Sequence, residues 1–175
     1  MLLAIGEDPV STVPKPVDQM YEAHHGMVFR TAHRITGNAA DAEDVLQTVF
    51  LRMLRRDSSE IDNPESYLRR SAVNAALDIV RARQADNSLE LERMPASGSC
   101  TELRDLRDTL RRSLSKMPPR TAEMFALRFF EGYTNPEIAR LMGLSQIVVA
   151  VTVHRARKKL QQELQKYAQP DRYLV

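Results

Sequence analysis

Residues 134–160 read TNPEIARLMGLSQIVVAVTVHRARKKL, a stretch with the signals of two helices joined by a tight turn. Thr134 and Glu137 have the spacing of a capping box, and the proline between them suits the start of a helix. Gly143 is suited to end this first helix, and Ser145 is suited to cap the next one. A short helix, a glycine turn and a longer basic helix predict a helix-turn-helix, a pattern that any tight helical hairpin would share.

The run IVVAVTV at residues 147–153 carries no charge and has the composition of a buried strand. If Ser145 begins a helix, the residues at successive spacings of 4, 3 and 4 face the core: Val149, Val153, Ala156 and Leu160. The β-branched residues then cost roughly 0.5 kcal/mol each relative to alanine, so this helix depends on tertiary packing. Four cations fall on other faces, where they can reach phosphates: Arg155, Arg157, Lys158 and Lys159.

Basic residues are concentrated in the second half of the chain. Residues 104–168 contain 13 Lys and Arg against 6 Asp and Glu, a net charge of +7, whereas residues 17–84 carry −1 and residues 85–103 carry −3. A basic block of this kind favours contact with nucleic acid. A solvated basic surface without a partner is the alternative interpretation of the charge alone.

The periodicity of apolar residues predicts helices along the whole chain. One helix extends from residue 17 to Thr36 and ends at Gly37, a second is capped by Asn38, and a third opens at Pro64 and continues to about Arg83. Further helices are predicted at 103–117, 120–131, 135–142 and 145–166. The predicted fold class is therefore all-α, with two small helical domains joined by a flexible linker and a helix-turn-helix in the second.

The composition also sets the expected boundaries of these units. The linker is rich in Asn, Ser, Pro and Gly and is negatively charged, and the N-terminal tail holds three prolines without periodicity. The predicted division is a flexible N-terminal tail at 1–16, a first domain at 17–84, a linker at 85–103, the helix-turn-helix domain at 104–168 and a C-terminal tail at 169–175.

The second helix has an apolar stripe and an opposite, mostly polar face. The stripe is the expected core face and consists of Leu46, Val49, Phe50, Met53 and Leu54. Leu51 falls on the opposite face, among the polar residues Asp44, Gln47, Thr48 and Arg55. An apolar residue in such a setting is typical of a partner-docking surface, although single exposed leucines are also common.

Three segments together resemble RNA polymerase sigma factors of the extracytoplasmic-function (ECF) group. DAEDVLQTVFLRML at 41–54 is similar to the polymerase-binding helix of that family, and ESYLRRSAVNAALDIVRAR at 65–83 is similar to the helix that engages the −10 promoter element. MPPRTAEMFALRFFEGYTNPEIARLMGLS at 117–145, followed by HRARKKL, resembles the C-terminal domain of the family. These segments cover most of residues 17–167 in the family's order and spacing.

The resemblance implies a protein that binds core RNA polymerase and promoter DNA and directs transcription initiation. Polymerase would be contacted by Asp41, Asp44, Gln47 and Leu51. The −10 element would be contacted by the loop at 57–63 and by Tyr67, Arg69, Arg70, Asn74 and Arg81, although Tyr67 suits a core position equally well. The −35 element would be contacted by Gln146, Val148, Ala150, Val151, His154, Arg155, Arg157 and Lys158.

The predicted recognition helix departs from the family pattern. Val148, Ala150, Val151 and Thr152 stand where family members commonly have a threonine and basic or small polar residues. Methyl groups can contact thymine methyls, so DNA reading through this face is possible in principle. The alternative is that the apolar patch docks protein instead of DNA.

Other classes of function have little support in the sequence. No nucleophile or glycine-rich phosphate loop accompanies the acidic residues near Asp41, so we expect no enzyme activity, catalytic residue or cofactor. His24, His25 and His33 lack metal-site spacing, Cys100 is the only cysteine, and no membrane insertion is expected. The expected location is cytoplasmic, and an anti-sigma factor is an additional candidate partner. The rival hypotheses are a helix-turn-helix regulator that acts without polymerase and a protein-interaction module with a degenerate recognition helix.

Overall fold

Helices make up the fold in a computed structural model that describes residues 16–55, 61, 63–87 and 101–167. The helices in these residues are α1 (Pro16–Thr36), α2 (Ala39–Leu54), α3 (Pro64–Asn87), α4 (Thr101–Ser115), α5 (Pro119–Phe129), α6 (Asn135–Met142) and α7 (Gln146–Tyr167). The same residues contain no β-strand, and the all-α prediction is confirmed. Apart from Pro16, the predicted tails lie outside the described residues, as do most of the predicted linker, most of the loop at 57–63 and Cys100.

The observed helix ends differ from the predicted ones by a few residues. α3 continues to Asn87 instead of ending near Arg83, because residues 84–87 include no proline or glycine to stop it. α4 begins at Thr101, two residues before the predicted start. The helix-turn-helix pair α6 and α7 matches the predicted bounds closely.

The first half of the chain packs α1, α2 and α3 around one apolar core. Asn38 caps α2 as predicted, since its side-chain Oδ1 accepts the Asp41 N–H at 2.8 Å. Val45, Val49 and Met53 are almost fully buried and carry the core face of α2. The prediction that Leu54 shares this face is wrong, because a helix turns by about 100° per residue and Leu54, next to Met53, points outward with 56% of its surface exposed.

The second half packs α7 against α4, α5 and α6. All four residues that spacing assigned to the core face of α7 are buried: Val149, Val153, Ala156 and Leu160. The Ser145 hydroxyl accepts the Val148 N–H at 3.3 Å, and Gly143 adopts a left-handed conformation with φ of 65° that ends α6. The valine run is therefore helical, held in that conformation by the core.

The two halves of the chain are in contact along α3, which packs against both α4 and α5. The buried apolar residues of both halves form one continuous cluster. In the described part of the chain no single helix is long and apolar enough to cross a membrane, and α6 and α7 reach that length and composition only together, across a bend of 113°.

Candidate polymerase and DNA interfaces

One exposed face of α2 combines acidic, amide and apolar side chains. Asp44, Gln47 and Leu51 are all exposed, with Leu51 exposed over 53% of its surface. Leu54 continues this face at a spacing of three from Leu51, so the residues at positions 44, 47, 51 and 54 form one row. We call this row the α2 surface. Leu54 was not expected on this exposed face, because its spacing also fits the core face of the helix.

Asp41 does not belong to the α2 surface, because its carboxylate is engaged inside the protein. Its Oδ1 accepts a hydrogen bond from the Arg83 guanidinium at 2.5 Å, and its Oδ2 accepts one from the Asn38 amide at 2.7 Å. Only 8% of the Asp41 side chain is exposed. Its contacts give it a structural role in joining α2 to α3.

Three of the residues expected at the −10 element form one cluster on α3, and all three contact carboxylates. Arg69 donates to Glu131 at 2.8 Å and to Glu65 at 2.6 Å. Arg70 donates through Nε to Glu123 at 2.6 Å, and the Asn74 amide donates to the same Glu123 oxygen at 3.1 Å. We call Arg69, Arg70 and Asn74 the α3 cluster.

The remaining residues predicted at the −10 element make contacts that the α3 cluster does not share. Tyr67 is half-buried against the apolar core. Arg81 donates to Asp78 at 3.2 Å, and its other terminal nitrogen is buried without a hydrogen-bond partner. Asn63 is one of the two described residues of the loop, and its side chain caps α3 by accepting the Ser66 N–H at 3.0 Å.

Glu123 and Glu131 were not among the residues that the sequence singles out. Glu123 lies in α5 and Glu131 in the turn before α6, so each is far in sequence from the arginine that it contacts. Burial by itself lowers the pKa of Arg69, but hydrogen bonds to Glu131 and Glu65 outweigh it and leave the pKa above its ordinary value. Arg69 therefore stays charged in this contact at neutral pH.

The outward face of α7 is apolar in its first turns and cationic after them. Ile147, Val148 and Val151 are exposed, Ile147 over 75% of its surface, and Ala150 is half-buried. The other predicted −35 residues are all exposed: Gln146, His154, Arg155, Arg157 and Lys158. Within residues 101–167, none of the α7 cations at positions 155 to 159 is paired with a carboxylate. The helix thus presents free positive charge beside a patch of methyl groups.

The predicted capping box is present at the start of α6, where Glu137 binds Thr134. The Thr134 backbone N–H and hydroxyl both donate to Glu137 Oε2, at 2.7 and 2.6 Å. The side-chain hydrogen bond and then the backbone one lower the pKa of Glu137 below its ordinary value. These bonds fix the first turn of α6.

Replacing Thr134 with alanine is expected to destabilise the protein, because it removes the hydroxyl that donates to Glu137 in the capping box. Because the folded-state pKa of Glu137 is lowered, its contribution is present above the unfolded pKa and is lost as the pH falls through the folded one. The difference in the free energy of unfolding between the parent and the Thr134→Ala variant should therefore be largest at pH 7 and should shrink below about pH 4. Urea unfolding of both proteins at the two pH values measures it, and a difference that does not depend on pH would contradict the role of Glu137.

In the described residues, no group of three or more His, Cys, Asp or Glu side chains is placed to hold a metal ion. The His25 ring instead stacks on the Tyr21 ring, with 5.1 Å between the centroids. The α2 surface, the α3 cluster and the outward face of α7 are candidates for macromolecular contact.

Family models and known proteins match the chain in the same regions. The model described as Sigma-70 region 2 matches residues 20–85, and the one described as Sigma-70, region 4 matches residues 107–160. The RNA polymerase sigma-E factor of Streptomyces coelicolor is 31% identical over 141 residues, a match that covers 78% of this chain and 79% of that protein. The chain belongs to the sigma-70 family, in its ECF group.

Further relatives extend this comparison. The ECF RNA polymerase sigma factor SigE of Mycolicibacterium smegmatis is 28% identical over 163 residues, and the match covers 86% of this sigma factor but 62% of SigE. The ferric citrate uptake sigma factor FecI of Escherichia coli K12 is 31% identical over 146 residues, covering 77% and 83% of the two chains. ECF sigma factors bind core RNA polymerase and direct promoter recognition, and the family expectation from the sequence is confirmed.

Two solved structures share the fold of this sigma factor. The sigma factor RpoE of Bartonella quintana, in complex with the anti-sigma factor NepR, superposes with a TM-score of 0.52 at 20% identity, covering 88% of this chain and 97% of RpoE. CnrH in complex with the cytosolic domain of CnrY superposes with a TM-score of 0.54 at 21% identity, covering 86% and 88% of the two chains. At these identities the likeness concerns the fold alone.

Proposed function

We propose that this sigma factor docks on core RNA polymerase through the α2 surface and carries promoter contacts on α3 and α7. The observation that carries the proposal is the row Asp44, Gln47, Leu51 and Leu54, which is exposed on a helix whose opposite face is completely packed. Two leucines beside an acid and an amide give an apolar centre with polar neighbours, as protein interfaces have. A helix needs no such row for its own stability.

The α3 cluster is the proposed contact with the −10 element. An asparagine amide can donate to and accept from a base edge, and arginines suit the phosphates on either side. Arg69, Arg70 and Asn74 lie within about one and a half turns of α3, a length that can follow a few nucleotides of one strand.

The outward face of α7 is the proposed contact with the −35 element. Its unpaired cations supply a sequence-independent attraction to phosphates, and its methyl groups supply apolar contacts without hydrogen-bond readout. We therefore expect weak discrimination among −35 sequences.

The proposal places the protein in the cytoplasm with the polymerase, acting as an initiation factor without enzyme activity of its own. An anti-sigma factor is a further proposed partner, because RpoE, which shares the fold, was solved with one. A helix-turn-helix regulator that ignores polymerase would have no use for the α2 surface, so we do not favour that alternative.

Replacing Asn74 with alanine is expected to reduce open-complex formation, because it removes base contacts worth about 1–3 kcal/mol, or roughly 5- to 150-fold. The measurement is the permanganate reactivity of promoter thymines with reconstituted holoenzyme, compared at equal occupancy of polymerase by sigma factor. Gln84→Ala, a change of another half-buried polar residue of α3, is the matched control and should leave the reactivity unchanged. Equal reactivity in the Asn74→Ala variant and the parent would contradict the assignment of the α3 cluster.

A further inference from the structure

A cavity of about 380 Å³ lies between the C-terminal end of α1, the middle of α4 and the residue that follows α5. Its rim is cationic and its floor is apolar. A volume of this size falls in the range of small-molecule sites. The cavity includes no residue of the α2 surface, the α3 cluster or the outward face of α7, so the proposed polymerase and promoter contacts do not account for it.

The floor of the cavity is formed by four apolar side chains, Ile35, Leu110, Leu114 and Phe130. Ile35 and Leu114 are almost fully buried, and Leu110 and Phe130 are half-buried against the same core. The Phe130 ring is held by an edge-on contact with the Phe125 ring, with 6.2 Å between the centroids. An aliphatic or aromatic group on this floor would therefore be removed from water on one side.

Arg111 forms one wall of the cavity, and contacts within the protein fix its guanidinium. Its Nε donates to the Ile35 carbonyl at 3.1 Å, and its Nη1 donates to the Asp108 carboxylate at 2.9 Å. Its Nη2 lies so close to Gly37 that a Cβ atom there would approach it to 1.7 Å. Gly37 also has a φ of 80°, a conformation that glycine adopts readily. Among the described residues Nη2 makes no hydrogen bond, so a preorganised donor remains available for a ligand.

The cations at the rim exceed the carboxylates that neutralise them. Arg107 is exposed and pairs with no carboxylate in the described part of the chain. Arg34 donates to Glu131 at 3.1 Å, but Glu131 also accepts from Arg69. Capping of the α1 carbonyls uses only the Nε of Arg111. Positive charge therefore remains at the rim after the contacts within the protein are satisfied.

We propose that this cavity binds a small organic anion, with its acidic group on Arg107 and Arg111 and its apolar body on the floor. The two arginines are one helical turn apart on α4, so both can reach the same group. Guanidinium groups form charge-assisted hydrogen bonds with carboxylates and phosphates. The apolar floor selects those anions that carry an aliphatic or aromatic body, in preference to an inorganic ion.

The site joins elements from both halves of the chain, because a bound anion would touch α1, α4 and Phe130 at once. A ligand that binds only the folded protein stabilises it by mass action, so the anion should raise the melting temperature of the parent. The site shares no residue with the proposed polymerase and promoter contacts. Its failure would therefore leave the proposed function unchanged.

The test titrates the isotope-labelled full chain with 1-naphthoate at neutral pH and follows the backbone amide shifts by NMR. The amides of Gly37, Leu110 and Phe130 should shift together and saturate with a Kd below about 1 mM, an affinity usual for a ligand of this size. 1-Naphthamide has the same shape without the charge and should bind at least about tenfold more weakly. Acetate has the charge without the apolar body and should also bind at least about tenfold more weakly.

Arg107→Gln/Arg111→Gln removes both cations of the site and should weaken 1-naphthoate binding by at least about tenfold. The matched control, Arg120→Gln/Arg140→Gln, removes the same charge at two exposed positions of α5 and α6 that do not line the cavity. It should leave the affinity within about twofold of the parent. If the first variant loses helicity, Arg107→Gln alone removes an exposed side chain without an ion pair and should still weaken binding about threefold.

The outcomes test the site and its ligand class separately. The absence of saturable shifts, or shifts centred on Ile147 and Val151 of α7 instead of the cavity, would overturn the site. Equal affinity for 1-naphthamide would overturn the role of the charge, and equal affinity for acetate would overturn the role of the floor. An equal loss of affinity in Arg120→Gln/Arg140→Gln would show a general attraction of the protein for anions and would also overturn the site.

Discussion

Replacing both Asp44 and Leu51 with arginine is expected to weaken the binding of this sigma factor to core RNA polymerase by at least about 100-fold. The reason is that the two changes place bulk and positive charge in the middle of the α2 surface. Central, desolvated residues carry most of the binding energy at protein interfaces, and two such residues together account for more than about 3 kcal/mol. Both side chains are exposed in the free protein, so the fold should be unaffected.

Glu22→Arg is the control for this variant. It makes the same change of charge as Asp44→Arg at an exposed position on α1, outside the α2 surface. Its affinity for core polymerase, measured by fluorescence anisotropy of labelled sigma factor, should stay within about threefold of the parent. Unchanged affinity of the Asp44→Arg/Leu51→Arg variant with intact helicity would contradict the docking role of α2.

Removing the four α7 cations is the second change with a large expected effect. Each phosphate contact contributes about 0.9 to the slope of log K against log salt concentration, so four contacts account for a slope of about −3 to −4. A variant with alanine at Arg155, Arg157, Lys158 and Lys159 should lose that part of the slope on double-stranded DNA. Ala150→Lys should tighten binding instead, because it adds a cation on the same helix beside the apolar patch.

The salt titration uses the full chain and a set of −35 sequence variants. The matched control replaces four exposed cations on α4, α5 and the turn between them, Arg104, Arg107, Lys116 and Arg120, which makes the same change in net charge. This control should change the slope of log K against log salt concentration by less than half as much as the α7 variant does. A strong base preference that survives high salt would show that the apolar face of α7 reads DNA directly, and no binding at any salt would favour a protein partner for that face.

The parts of the structure set by neighbouring residues could be predicted from the sequence. The helix-turn-helix follows from Thr134, Gly143 and Ser145, which act on the backbone within four residues of themselves. The core face of α7 follows from spacing alone, even through the valine run, because only one register buries Val149 and Val153 together. Helical periodicity is thus sufficient to orient a helix whose neighbours are close in sequence.

The parts set by contacts between distant residues could not be predicted. Asp41 looks like an exposed acid at a helix start, and only the packing of α3 brings Arg83 to its carboxylate and buries it. Glu123 and Glu131 are single acids in a basic segment, and nothing near them in sequence indicates that they meet the α3 cluster. Such ion pairs depend on how the two halves are arranged, which the periodicity of each helix does not contain.

In vitro transcription with purified core RNA polymerase on a library of promoter fragments measures directly whether this protein acts as an initiation factor. Transcripts should appear only when this sigma factor is added, with start sites that share a −10 element and tolerate variation at −35. The Asp44→Arg/Leu51→Arg variant should give none of them, and Glu22→Arg should give them all. Transcripts that do not depend on the sigma factor, or its failure to start transcription from any fragment despite binding core polymerase, would contradict its role as an initiation factor.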